Sequence, residues 1–167
     1  MNSTVALATE QTGEGFNVFQ FKTTELAIYS YYIESNKEGI LIDPVFDVET
    51  YRKFMDSRKS ILKYVFLTHY HADYLSGHTE FKVPIVMGPS AARAVNTFKI
   101  HEAKDGEILT LGSIKLKVIH TPGHTLESSC YQLTDSANKD VCLFSGDTVF
   151  LGEVGRPDLA CSTDITS

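Results

Sequence analysis

Residues 65–73 have the sequence Val-Phe-Leu-Thr-His-Tyr-His-Ala-Asp, in which an apolar run ends at three side chains that can bind a metal ion. The apolar and aromatic residues 64–67 predict a buried strand. Because side chains alternate along an extended backbone, His69 and His71 lie on the same side of it. Asp73 can join them or hold one of them by its second ring nitrogen. Packing gives no reason to place such costly polar groups at the end of a core strand, so the segment predicts a metal site.

Two more apolar segments end at residues that can bind a metal. Residues 114–120 alternate between apolar and polar, and a Thr-Pro-Gly-His-Thr turn that carries His124 follows them. Residues 141–144 form a third apolar run, followed by Ser-Gly-Asp-Thr with Asp147. We therefore expect His69, His124 and Asp147 just past the ends of three strands, where ligands gather in open α/β architectures. Their shared placement predicts that the three side chains contribute to a metal site, and the alternative for Asp147 is that it caps a turn after Gly146.

The neighbours of these residues leave alternatives open. His71 and Asp73 are either direct metal ligands or residues that orient the ligands. Tyr74 either packs as an ordinary aromatic residue or faces the metal cavity. Arg156, between glycine and proline, suits an anionic substrate group, and the alternative is a salt bridge to Asp158 or its neighbours.

The bulk properties are those of one globular domain over residues 1–167, with 43% hydrophobic and 22% charged residues. The net charge of −6 argues against nucleic acid or an anionic membrane as partner. No apolar run approaches the length that crosses a bilayer, and the N-terminus lacks the pattern of a signal peptide. The three cysteines (130, 142 and 161) have no Cys-x-x-Cys spacing and predict reduced thiols in a cytoplasmic protein.

The order of predicted elements is typical of an α/β protein with a mixed sheet. A helix is expected from Asp47 to about Met55, and a second helix from Ser90. Strands are expected at residues 16–21, 27–33, 39–42, 64–67, 84–88, near 108, and at 114–120, 128–133 and 141–145.

The three strand-end motifs together resemble the metallo-β-lactamase superfamily. They are Thr68–Asp73, Thr121–Thr125 and Ser145–Thr148, and the resemblance extends from about Phe16 to Leu159. It implies an αββα sandwich. Catalytic domains of this family are longer than the present chain. The resemblance therefore implies that residues 1–167 cover only the N-terminal, metal-binding part of a C-terminally truncated domain.

Within the superfamily, the sequence is similar to the persulfide dioxygenase branch. Many members place a further metal-binding histidine after the motif aspartate, where this chain has Tyr74. The resemblance rests on His-Ala-Asp-Tyr-Leu-Ser-Gly-His at 71–78, Thr-Pro-Gly-His-Thr-Leu-Glu-Ser at 121–128 and Gly-Glu-Val-Gly-Arg-Pro-Asp-Leu at 152–159. Bacterial relatives of that branch often carry rhodanese domains downstream.

The branch implies one non-haem Fe(II), held here by His69, His124 and Asp147 as catalytic residues. This two-histidine, one-carboxylate set suits iron and O₂, although zinc has the higher intrinsic affinity. The implied substrates are O₂ and a small thiol persulfide, oxidised to sulfite. Tyr74 and Arg156 would then contact the substrate.

The sequence also allows two other interpretations. One is a zinc-dependent thioesterase of the glyoxalase II type, in which a metal-bound hydroxide attacks an acyl-thiol. The other is a shortened half-domain without activity, whose open strand edges would favour a homo-oligomer.

Overall fold

The computed structural model describes residues 5–24, 28–91, 98–150 and 152–156. Their strands form a seven-stranded sheet, a four-stranded sheet and a two-stranded hairpin. The mixed α/β class predicted from the sequence is confirmed by this arrangement. Within the described residues, no helix is long and apolar enough to cross a membrane.

The first sheet has its strands in the order of the chain. They are β1 (Val5–Gly13), β2 (Phe16–Thr23), β3 (Tyr29–Ser35), β4 (Glu38–Ile42), β5 (Ile61–Phe66), β6 (Ile85–Met87) and β7 (Ile100–Glu102). The pairs from β1 to β4 are antiparallel, and those from β4 to β7 are parallel. The carboxyl ends of β4, β5 and β6 therefore meet at one edge of the sheet, where the loop with His69 begins.

The second sheet is antiparallel throughout and has the order β11-β10-β9-β8. Its strands are β8 (Ile108–Leu111), β9 (Ile114–His120), β10 (Ser129–Thr134) and β11 (Asp140–Phe144). A short hairpin of β12 (Val149–Phe150) and β13 (Glu153–Val154) follows. Residues 114, 116 and 118 of β9 are buried and those between them are exposed, as the alternating sequence predicts.

Two apolar cores hold the layers together. One lies between the two sheets and includes Phe66 of β5 and Tyr131 of β10, whose rings meet edge to face at 4.8 Å. The other lies between the first sheet and helix α1 (Val48–Arg58), which buries Val48, Tyr51 and Met55. Full burial of one such side chain contributes about 1.5–3 kcal/mol, so these layers fix the sheet edge that carries the site.

Some expectations about individual elements need correction. Asp47 precedes α1, but its side chain makes no capping bond to the backbone and instead accepts the hydroxyl of Thr50. Strand β1 was not predicted, because all its residues after Val5 are exposed and no apolar alternation marks it. Cys130 and Cys142 are free thiols on β10 and β11, as expected. The predicted helix after Ser90 and residue Cys161 lie outside the described part of the chain.

Candidate metal centre

The three predicted ligands, His69, His124 and Asp147, lie together although they follow three different strands. One donor atom from each side chain lies within 4.8 Å of the other two. Oδ2 of Asp147 is 3.7 Å from Nε2 of His69 and 3.6 Å from Nε2 of His124. Donors that share a metal ion at about 2.1 Å lie roughly 3–3.5 Å apart. The side chains present therefore fit a single bound cation after small movements.

The imidazole of His69 is held in one orientation by a chain of hydrogen bonds. Its Nδ1 is 3.0 Å from the hydroxyl oxygen of Thr68. That hydroxyl donates to Oδ2 of Asp43 at 2.8 Å. Because the hydroxyl proton points at the carboxylate, the oxygen of Thr68 accepts from Nδ1–H of the ring. The lone pair is then left on Nε2, the atom that faces Asp147.

The charge state of His69 also suits a metal ligand. The residue is only 2% exposed. Burial, helped by the positive charge of nearby His71, lowers the pKa of His69 to about 4. The neutral imidazole, which is the form that binds a metal, is therefore the ordinary state of this side chain.

His124 is oriented through its other ring nitrogen as well. Nδ1 of His124 is 3.2 Å from the carbonyl oxygen of Arg156, so its N–H donates there and Nε2 faces Asp147. The turn that carries His124 is closed by a backbone bond from Thr121 N–H to the carbonyl of Ser128 at 2.9 Å. The turn expected from the Pro-Gly pair is thus present at the end of β9.

Two glycines let the ligand-bearing loops touch. A Cβ on Gly146, which has φ +49°, would lie 2.3 Å from the hydroxyl oxygen of Thr68. A Cβ on Gly155 would lie 1.7 Å from the backbone oxygen of Asp147 and 3.3 Å from Cβ of His124. Real Cβ atoms essentially never approach other atoms within 3.0 Å, so the contact of Gly146 with the Thr68 side chain and that of Gly155 with the Asp147 backbone both require glycine.

His71 lies beside the three-residue cluster and contacts a different carboxylate. Its Nε2 is 3.0 Å from Oδ1 of Asp43, and its ring packs between His69 at 4.1 Å and Tyr74 at 4.4 Å. Burial is the largest single effect and lowers the pKa of His71, but the charge and hydrogen bond of Asp43, with the charges of Asp147 and Asp73, together outweigh it, so the net pKa is raised. This geometry favours an orienting role for His71. Asp73 is exposed and lines the neighbouring cavity.

Tyr74 and Arg156 are placed differently from each other. Tyr74 packs on His71, donates its hydroxyl to the carbonyl of Asp43 at 3.3 Å, and also lines the cavity. Both alternatives for Tyr74, packing and facing the cavity, therefore apply. Arg156 is exposed, and its backbone carbonyl accepts from the ring of His124. The alternative partner, Asp158, lies outside the described residues.

Asp43 is a site residue that the sequence did not single out. It follows β4, is 5% exposed, and has φ +50°, a left-handed conformation that is rare outside glycine. Oδ1 accepts the backbone N–H of Thr68 at 2.8 Å, in addition to the hydroxyl bond on Oδ2. Burial raises the pKa of the Asp43 carboxyl. His71 and the Thr68 amide lower it by more than burial raises it, so the net pKa lies below the ordinary value. The only signal in the sequence was an acid directly after a buried strand.

A cavity of 680 Å³ opens beside Asp147. One part of its wall is polar and includes His71, Asp73 and Asp147, and the other part is largely apolar. The apolar part includes Ile28, Tyr29, Leu143, Val149 and Phe150. Its size is in the range of small-molecule sites, so the cluster that could hold a metal ion lies next to space for a small molecule.

Sequence comparison finds a matching family model and several curated relatives. The family model of the metallo-beta-lactamase superfamily matches residues 23–165. The hydroxyacylglutathione hydrolase of Prochlorococcus marinus (strain MIT 9211) is 33% identical over 132 residues, which are 74% of this chain and 51% of that protein. The chain thus spans about half the length of the curated relatives that it matches.

Solved structures show the same fold. A metallo-beta-lactamase from Staphylococcus aureus subsp. aureus COL superposes with a TM-score of 0.80 at 31% identity, covering 89% of this chain and 48% of its own. ETHE1 from Myxococcus xanthus gives 0.72 at 25% identity, covering 84% and 61%. Since the family model extends over most of the sequence and includes all three strand-end motifs, the chain belongs to the metallo-beta-lactamase superfamily.

Proposed function

We propose that this chain carries a single-metal centre, formed by His69, His124 and Asp147, in an enzyme that acts on the sulfur of a small thiol conjugate. The observation that carries the proposal is that, among the described residues, these three side chains are the one group that could hold a metal ion. His71 is paired with Asp43, and Tyr74 occupies the position after Asp73 with its hydroxyl bonded to a backbone carbonyl. Among the described residues, the side chains near Asp73 therefore do not make a second complete set of ligands.

The first candidate reaction is oxidation of a thiol persulfide by O₂, which the set of ligands and the resemblance of the motifs to the persulfide dioxygenase branch support. Two histidines and one carboxylate leave open coordination positions, the arrangement typical of non-haem Fe(II) oxygenases. Bound iron would supply the activation of O₂. The persulfide, O₂ and water would give the free thiol, sulfite and two protons. In this proposal the cavity beside Asp147 receives the thiol carrier, and Tyr74, which lines it, is a candidate substrate contact. Arg156 is a second candidate, on the sequence pattern alone.

A second reaction is hydrolysis of a glutathione thioester with zinc in the same site. Its specific support is that the curated relatives are named hydroxyacylglutathione hydrolase. The names of the relatives support hydrolysis better than oxygenation, whereas the set of ligands supports oxygenation better. Zinc accepts two histidines and one carboxylate, so the donors are compatible with both metals.

One set of measurements separates the two reactions. Protein purified without added metal is analysed for iron and zinc, and then assayed for O₂ uptake with glutathione persulfide and for hydrolysis of lactoylglutathione. One equivalent of iron with persulfide-dependent O₂ uptake supports the dioxygenase, and zinc with thioester hydrolysis without O₂ supports the hydrolase. Activity of either kind that survives His124→Ala would contradict the proposed centre.

A further inference from the structure

The segment before and within β10 is bonded to the histidine-bearing loop of the first sheet. The backbone N–H of Ser129 donates to the carbonyl of Thr68 at 2.9 Å. The hydroxyl of Tyr131 donates to the carbonyl of Leu67. These bonds join the two sheets at the point where the His69 loop leaves β5, so the loop is held from both sides of the sandwich.

A third bond in this group comes from a side chain, the carboxylate of Glu127. Its Oε1 accepts the backbone N–H of Tyr70 at 3.0 Å, and the residue is only 8% exposed. Tyr70 lies between His69 and His71, and Glu127 lies three residues after His124. One carboxylate therefore links the two loops that carry the predicted histidine ligands.

The turn that carries Glu127 is fixed by its own bonds and by close packing. Thr125 N–H donates to the hydroxyl oxygen of Ser128 at 3.0 Å, and the two hydroxyl oxygens are 2.7 Å apart. On the other side, a Cβ on Gly88 would lie 1.7 Å from the hydroxyl oxygen of Ser129. This turn closes without help from the carboxylate of Glu127. Because burying a charged group is costly, the position of this carboxylate indicates a role other than forming the turn.

We propose that Glu127 is a positioning residue that sets the separation of His69 and His124 and thereby the affinity for the metal. Its carboxylate holds the Tyr70 amide, and a bond to an ionised acceptor is stronger than a neutral one. Without it, Leu67 and Thr68 keep their bonds from Tyr131 and Ser129, but Tyr70, the residue between the two histidines, loses its link to the turn of His124. The inference rests on the proposed metal centre, and it concerns metal affinity rather than the reaction.

The test compares Glu127 with a matched acid at the other end of β10. Asp135 is also 8% exposed, and its carboxylate accepts the backbone N–H groups of Ala137 and Lys139 at 2.9 Å, in the turn to β11. Both Glu127→Ala and Asp135→Ala remove a buried carboxylate that accepts backbone N–H, and both should lower the urea midpoint. Only Asp135→Ala should keep the metal affinity of the unmodified protein.

The measurement is a Co²⁺ titration of metal-free protein, followed by the visible absorption of the bound ion. We expect about 10- to 100-fold weaker binding and a changed spectrum for Glu127→Ala, the usual range for groups that orient ligands. Glu127→Gln should restore most of the affinity, because its amide oxygen can accept the same N–H. A loss of stability alone would not move the spectrum.

Three outcomes overturn the inference. The first is that Glu127→Ala binds Co²⁺ with the same affinity and the same absorption spectrum as Asp135→Ala. The second applies if Glu127→Ala does not fold: Glu127→Asp keeps the charge but is one methylene shorter, and unchanged binding in that variant contradicts the proposed role. The third is unmodified protein that binds no Co²⁺, which refutes the metal centre itself and is thereby distinguishable from the first two.

Discussion

Replacing Asp43 by asparagine should move the proton of His69 from Nδ1 to Nε2. Oδ1 of Asp43 accepts the backbone N–H of Thr68, and Oδ2 accepts the Thr68 hydroxyl, each at 2.8 Å. A backbone N–H can only donate, so the oxygen of an asparagine side chain must face it and the NH₂ group must face the hydroxyl. The hydroxyl of Thr68 then accepts from that NH₂ and donates its own proton to Nδ1 of His69, 3.0 Å away.

The expected size of the effect follows from the bonds that are lost. The variant loses a charge-assisted bond from Thr68 and the charge opposite His71, while the bond to the Thr68 amide remains. Bonds to charged groups contribute about 1.5–3 kcal/mol, so the free energy of unfolding should fall by that amount. For a chain of this size, the melting temperature should fall by roughly 4–10 °C. Metal affinity should fall by about 10- to 100-fold, because Nε2 now carries a proton.

The assay is ¹⁵N NMR of histidine-labelled, metal-free protein, in which the two ring nitrogens report the position of the proton, together with a Zn²⁺ titration. Thr68→Ser serves as the matched control, because it keeps the hydroxyl and should keep both the Nδ1–H form of His69 and the affinity. An Asp43→Asn variant in which His69 keeps its proton on Nδ1 and binds Zn²⁺ as before would refute this reasoning.

Three further predictions concern stability and the packing of the loops. Tyr131→Phe removes a buried hydroxyl that donates to a backbone carbonyl, and should lower the free energy of unfolding in urea by about 1–3 kcal/mol; no change would contradict this assignment. Gly146→Ala places a Cβ 2.3 Å from the Thr68 hydroxyl and should weaken Zn²⁺ binding in titration, whereas Gly152→Ala, at φ +86° with open space around it, should not. For metal-free protein, burial lowers the pKa of His69 from 6.5 to about 4. Neutral His69 therefore contributes about 3 kcal/mol to the free energy of unfolding above pH 6.5, and this contribution is lost as the pH falls toward 4. Urea unfolding of His69→Gln beside the unmodified protein over that range should show a smaller loss on acidification in the variant, and equal losses would refute the assignment.

The sequence by itself predicted most strands of the sandwich and the three strand ends that form the candidate site. This was possible because burial leaves a local pattern: apolar residues at 64–67, 114–118 and 141–144 stop where the polar residues begin. His69 and Asp147 follow two and three positions after their runs, and His124 lies in the Thr-Pro-Gly-His-Thr turn after residues 114–120. Strand β1 left no such pattern, since its side chains after Val5 are exposed and it is held by pairing with β2.

Only the tertiary structure decided which of the polar residues around the site pair with each other. Asp43 and Thr68 are 25 positions apart, and Tyr70 and Glu127 are 57 positions apart. Their contacts depend on the parallel register of β4 with β5 and on the way the second sheet packs over the edge of the first. A hydrogen bond between such residues depends on distances of a few tenths of an ångström, which no local periodicity specifies. The pairing of His71 with Asp43 and the link through Glu127 therefore emerge only after the sheets have assembled.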